Sequence, residues 1–110
     1  ILMPIDVETD PPTGSFYVYQ PSVGGLEDHR FKLKATDSSG VIAYRFDGST
    51  WIHVAESKDM TIYVTKSFYA RQAQWEYFYM YYMDLHRNVS TRYSTRYYCY
   101  FSGGSSSCYR

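Results

Sequence analysis

The chain has 110 residues, 45% of them hydrophobic, with 11 basic side chains balancing 11 acidic ones. That is the size of one domain, long enough to bury a core without metals and too apolar for a disordered chain. Neutrality gives no support to nucleic-acid binding driven by phosphate neutralisation, and no apolar run reaches the roughly 18 residues of a membrane span.

Residues 1–14 read as a linker and entry segment, extended by Pro11 and Pro12 and broken at Gly14. Its start, ILMPIDVETD, lacks the basic region of a signal peptide, as expected of a mature protein or an excised domain. A first strand covers Phe16 to Tyr19 and is ended by Pro21, Gly24 and Gly25. From Arg30 to Thr36 apolar and polar residues alternate, with Phe31, Leu33 and Ala35 on one face and Lys32 and Lys34 on the other, the pattern of a half-buried strand. Asp37-Ser38-Ser39-Gly40 reads as a turn, Val41 to Phe46 as the next strand, and Asp47-Gly48 as a hairpin tip leading to Trp51-Ile52-His53-Val54. Met60 to Thr65 is strand-like, and Phe68 to Gln74 reads as a loop or a single turn. Trp75 to Met83 is a long aromatic strand. A final strand runs from Arg87 or Asn88 to Phe101, with an interruption near Ser94-Thr95. The domain proper is then 15–101, followed by a Ser/Gly-rich tail over 102–110. About seven short antiparallel strands with frequent turns point to an all-β sandwich.

Several segments fall in the order found in bacterial immunoglobulin-like domains, the tandem modules of adhesins, large surface proteins and some phage structural proteins. Asp10-Pro11-Pro12-Thr13-Gly14 resembles the start of such a module, and Leu33 to Val41 resembles its second strand, turn and third strand. Tyr44 to Trp51 is similar to the third strand with its hairpin, and Asp84-Leu85-His86-Arg87-Asn88-Val89-Ser90 to the turn before the last strand. The resemblance implies an immunoglobulin-like β-sandwich, modular use and no catalysis. Three departures stand out: Arg87 where the family usually has Gly, which leaves a left-handed turn residue in question, an unusually aromatic stretch from Ser67 onward, and the Cys-bounded tail.

Aromatic content is the compositional outlier, with 14 tyrosines and 2 tryptophans. If the turn at Asp84–Asn88 sits as in the family, Phe78, Met80 and Tyr82 face the core. Trp75, Tyr77, Tyr79 and Tyr81 then face outward, since side chains alternate along a strand. Val89 inward puts Arg92, Arg96, Tyr98 and Tyr100 outward on the paired last strand. These eight residues form a candidate binding face of the Tyr/Arg composition favoured at interface hot spots. It reads equally as a contact surface for protein or glycan, or as a face buried within the domain or by neighbouring chains in an assembly. From Asp84 onward the chain is dominated by Tyr, Ser, Arg and Thr, a palette that paratopes share and that strand-plus-linker composition also produces.

Cys99 and Cys108 bracket a short Ser/Gly loop and read as a disulfide, which implies an oxidising compartment. CxxC spacing is absent, and His29, His53 and His86 are scattered, so no metal site is expected. Asp6, Glu8 and Asp10 read either as a solvated acidic linker or as calcium ligands between modules. Asn88-Val89-Ser90 matches the N-glycosylation pattern, one that also arises by chance. No nucleophile elbow, phosphate loop or dinucleotide fingerprint is present, and no cofactor or catalysis is expected. The sequence thus describes an extracellular, cell-surface or virion-surface module for adhesion, recognition or spacing. The alternative is a structural subunit packing against copies of itself.

Overall fold

A computed structural model of the chain describes residues 9–20, 25–71, 73–102 and 105–110. They form six strands and, among the described residues, no helix: β1 (Thr13–Gln20), β2 (Gly25–Phe46), β3 (Ile52–Ala70), β4 (Trp75–Asp84), β5 (Tyr93–Ser102) and β6 (Ser105–Tyr109). All pair antiparallel in one curled sheet of order β1-β2-β4-β5-β6, with β3 beside β2. β3 takes one edge of β2, while the other edge is shared by β1, opposite Arg30–Thr36, and β4, opposite Val41–Phe46.

The all-β class expected from the strand pattern is present; the count of about seven is not, because β2 and β3 run on through segments read as a turn and as loop. Asp37–Gly40 does not reverse the chain. It is an irregular stretch inside β2, where the register to β3 shifts between Thr36 and Val41. The Asp37 carboxylate accepts hydrogen bonds from the amide and hydroxyl of Ser39, at 3.0 and 2.6 Å, and Gly40 follows at a φ of 110°. The positive φ is what requires glycine, since the exposed Glu56 side chain, 2.6 Å from where a Cβ would stand, is free to swing aside. The Asp47–Gly48 hairpin tip is where the sequence puts it, with Gly48 at a φ of 78° and the Ser49 amide donating to the Phe46 carbonyl. β5 is likewise unbroken at Ser94-Thr95, which pair with Tyr79 and Phe78. Pro21, Gly24, Asp6 and Glu8 lie outside the described residues.

The curl closes on an aromatic core. His29, Phe31, Leu33 and Ala35 point inward from the first half of β2, and Tyr44 and Phe46 from the second. Phe16 and Val18 come from β1, Phe78, Met80 and Tyr82 from β4, and Tyr97 and Cys99 from β5. Phe31 sits 5.0 Å from Phe46 and 5.2 Å from Phe78, and Phe68 sits 4.8 Å from Phe78, in the tilted and edge-on geometries that aromatic rings favour. The buried polar groups are partnered: His29 Nδ1 donates to the Glu27 carbonyl, so its Nε2 accepts from the Tyr97 hydroxyl, and the Tyr82 hydroxyl donates to the Ser15 carbonyl. Burial pushes the Tyr82 hydroxyl well above its ordinary pKa.

The turn from β4 towards β5 is built around the buried Asp84. Its carboxylate accepts from the His86 and Asn88 amides and from the Asn88 carboxamide, all at 2.8–2.9 Å. The left-handed turn residue is kept, at Arg87, with a φ of 69°. Val89 lies at the surface, 43% exposed, and not inward as expected, because it forms only an isolated bridge to Met83 before β5 begins. Two stability changes follow from this turn. Arg87→Gly relieves the left-handed strain and gains about 0.5–1 kcal/mol. Asp84→Ala strands three donors and loses at least about 3 kcal/mol. Urea denaturation of each variant measures both.

Candidate recognition face

β4 exposes its odd-numbered residues and β5 its even-numbered ones on the convex side of the sheet. The eight residues picked from the sequence therefore share one face. Trp75 and Tyr77 are 38% and 50% exposed, Arg92 and Arg96 are exposed, and Tyr79, Tyr81, Tyr98 and Tyr100 are half-buried among them. Strand register lines them up across the sheet, with Trp75 opposite Tyr98 and Tyr77 opposite Arg96.

Cations and rings interleave. Arg96 lies 4.2 Å from the Trp75 ring centre, Arg92 4.2 Å from Tyr79, and Arg45 4.4 Å from Tyr81 and 5.3 Å from Trp51. Trp75 packs on Tyr98 at 5.6 Å, Tyr98 on Tyr100 at 6.3 Å, and Tyr100 stacks on Tyr109 at 6.1 Å. The Tyr100 and Tyr109 hydroxyls are 3.5 Å apart, and this contact raises the Tyr109 pKa. Each guanidinium carbon lies over a ring face, the placement of a cation–π contact.

Two acids of β4 are engaged away from this face. Asp84 is buried in its turn, and Glu76 accepts from the Arg71 amide and the Gln74 carboxamide. The one ion pair among the described residues joins Arg92 to Asp47 at 3.8 Å, with both side chains about half exposed, so water weakens it.

Arg45, Trp51 and Tyr109 belong to the face, and the sequence did not reveal them. Arg45 alternates with the core residues Tyr44 and Phe46, which marks it as outward, yet nothing local says that it lands opposite Tyr81. Tyr109 arrives because β6 folds back on β5, and the disulfide joins the directly opposed residues Cys99 and Cys108. A second, smaller group on β1–β3 was also missed: Tyr19 packs on Tyr63 at 5.3 Å, Lys32 lies 5.7 Å from Tyr63, and Arg110 lies 5.0 Å from Tyr17.

The remaining candidates are dispersed. His29 is in the core, whereas His53 and His86 are exposed on separate elements. Among the described residues no three His, Cys, Asp or Glu side chains gather to hold a metal. Asp10 borders a shallow depression of about 480 Å³ lined also by Asp37 and Lys58. In the Asn88-Val89-Ser90 tripeptide both polar side chains serve the turn. Asn88 donates to Asp84, while the buried Ser90 hydroxyl accepts from the Tyr82 amide and donates to the Thr91 carbonyl.

The disulfide closes a loop between residues nine apart in sequence. On the chain-entropy model that contributes about 2–3 kcal/mol, so reduction lowers the denaturation midpoint by a corresponding amount while strand content persists. Denaturation with and without reductant measures this. Comparison with protein-family models, with curated proteins and with solved structures finds no match to the chain.

Proposed function

We propose that this chain is an immunoglobulin-like module of an exported or virion-surface protein, and that it holds a macromolecular partner against the Arg/aromatic face of β4 and β5. The strand pairing supports the immunoglobulin-like reading. If each long strand is counted as two, β1, the first half of β2 and the second half of β3 make one layer. The first half of β3, the second half of β2, β4 and β5 then make the other. The disulfide fits an oxidising compartment.

One observation carries the recognition reading: three arginines, each within 4.4 Å of an aromatic ring centre, on a face where, among the described residues, one carboxylate forms an ion pair. Stacking fixes the long side chains in advance, so little rotamer entropy remains to be lost on binding. The exposed N–H edges suit carboxylate or sulfate groups, which makes an acidic partner the best fit. Four strands about 4.8 Å apart and seven residues of about 3.4 Å each give a patch of roughly 400–500 Å², more than half the ~800 Å² that one partner contributes to a stable interface.

The test uses arrays of acidic glycans and of surface proteins, probed with the intact chain. Binding is expected to weaken with added salt and to fall at least tenfold in a Trp75→Ala, Arg96→Ala double variant of unchanged melting temperature. Equal binding by the double variant would remove this face from the account. The second reading, self-assembly in a virion or filament, is favoured by the width of the exposed aromatic patch. A sizing column separates the two: oligomers that grow with concentration and vanish in the same double variant select assembly.

A further inference from the structure

β3 is a 19-residue strand that pairs, among the described residues, with β2 alone. Among the described residues no strand pairs with the N–H and C=O groups of its other edge. From Met60 to Ala70 it reads MTIYVTKSFYA, rich in β-branched and aromatic residues and free of Pro and Gly. It also keeps an unbroken register to β2. Such an edge is a template for another strand. The inward row adds to the risk, because Ile62, Val64 and Phe68 are only partly buried against the core, and among the described residues no strand lies beyond β3 to cover them.

Lys66 interrupts that row. It stands on the inward side between Val64 and Phe68, half-buried. Its ammonium lies 5.2 Å from the Phe46 ring centre and 5.7 Å from Phe68, and donates to the Ser49 hydroxyl. We propose that Lys66 keeps the free edge of β3 from pairing with a second copy of this chain.

Register decides the matter. When two β3 edges meet antiparallel with their inward faces on the same side, even-numbered residues face even-numbered residues. Within the straight segment Lys66 then meets Met60, Ile62, Val64, Phe68, Ala70 or the other Lys66, and by symmetry it does so twice. None of these carries an acid. Glu56 shares the inward parity but lies beyond the register shift near Ser57. Pairing therefore covers two ammonium groups with an apolar strand and supplies no counter-charge, which costs more than the added ladder returns. Desolvation already lowers the Lys66 pKa with the edge open, in keeping with a charge that tolerates no further cover.

The experiment is a sizing column with a fibril-binding dye, applied to the wild type and to Lys66→Met, which keeps the stem over Phe46 and Phe68. The wild-type β3 edge stays unpaired. Lys66→Met moves to dimers or larger species with strand content retained, and does so also in the Trp75→Ala, Arg96→Ala background, since the edge and not the recognition face carries the contact. Returning a charge to the row in Ile62→Lys, Lys66→Met restores the monomer, whereas Lys34→Met, on the outward side of β2, changes nothing. If Lys66→Met fails to fold, Lys66→Val replaces it on the same readout. A folded Lys66→Met or Lys66→Val that stays monomeric at every concentration overturns the proposal. So does an Ile62→Lys, Lys66→Met chain that assembles as readily as Lys66→Met.

Discussion

The irregular stretch of β2 between Asp37 and Ile42 is the constraint on which the rest depends. Before it, odd-numbered side chains of β2 point inward; after it, even-numbered ones do. A strand keeps its side-chain phase unless a residue is inserted or removed from the ladder, and a bulge does that while bending the strand. The bend lets one strand line two parts of the same core, so that Phe31 and Phe46 meet at 5.0 Å although they come from opposite halves and opposite parities. Asp37, which holds Ser39, and Gly40, which takes the positive φ, are what make that shift available.

The Arg/aromatic face is a consequence of the same shift. With Tyr44 and Phe46 turned inward, Arg45 is turned outward and meets Tyr81 across the ladder. Without the inserted residue, Arg45 would enter the core and Tyr44 and Phe46 would lie in water. On β4 and β5 the alternation runs uninterrupted. Rings on the inner side knit the core through Phe78 and Tyr97, stacked 5.6 Å apart, and rings on the outer side carry the arginines. One run of aromatic residues thus lines both sides of the sheet, divided by parity alone.

Much of this was legible in the residues themselves. The alternation Phe31-Leu33-Ala35, the Asp47-Gly48 tip and the inward set Phe78-Met80-Tyr82 are local patterns, and the structure contains each of them. The eight residues of the face were legible for the same reason, because parity on a continuous strand is a local property. Continuity was not legible. Asp-Ser-Ser-Gly has the composition of a turn, and whether it reverses the chain or only kinks it depends on β3 running alongside to hold both halves. The inward position of Val89 failed because an isolated bridge does not carry strand parity forward. Arg45, Trp51 and Tyr109 joined the face through cross-strand register, which sequence spacing does not encode. The left-handed position at Arg87 survived without glycine because Asp84 fastens the turn from both sides.

The proposed function divides the aromatic residues between an inner side that is always shielded and an outer side that meets a partner. Hydroxyl-radical footprinting of the free chain and of the chain in its native assembly measures this directly. Tyr82 and Tyr97 are expected to resist oxidation in both, while Trp75, Tyr77 and Tyr98 oxidise in the free chain and are protected in the assembly. Equal oxidation of Trp75 and Tyr77 in the two states, or ready oxidation of Tyr97 in the folded free chain, would contradict it.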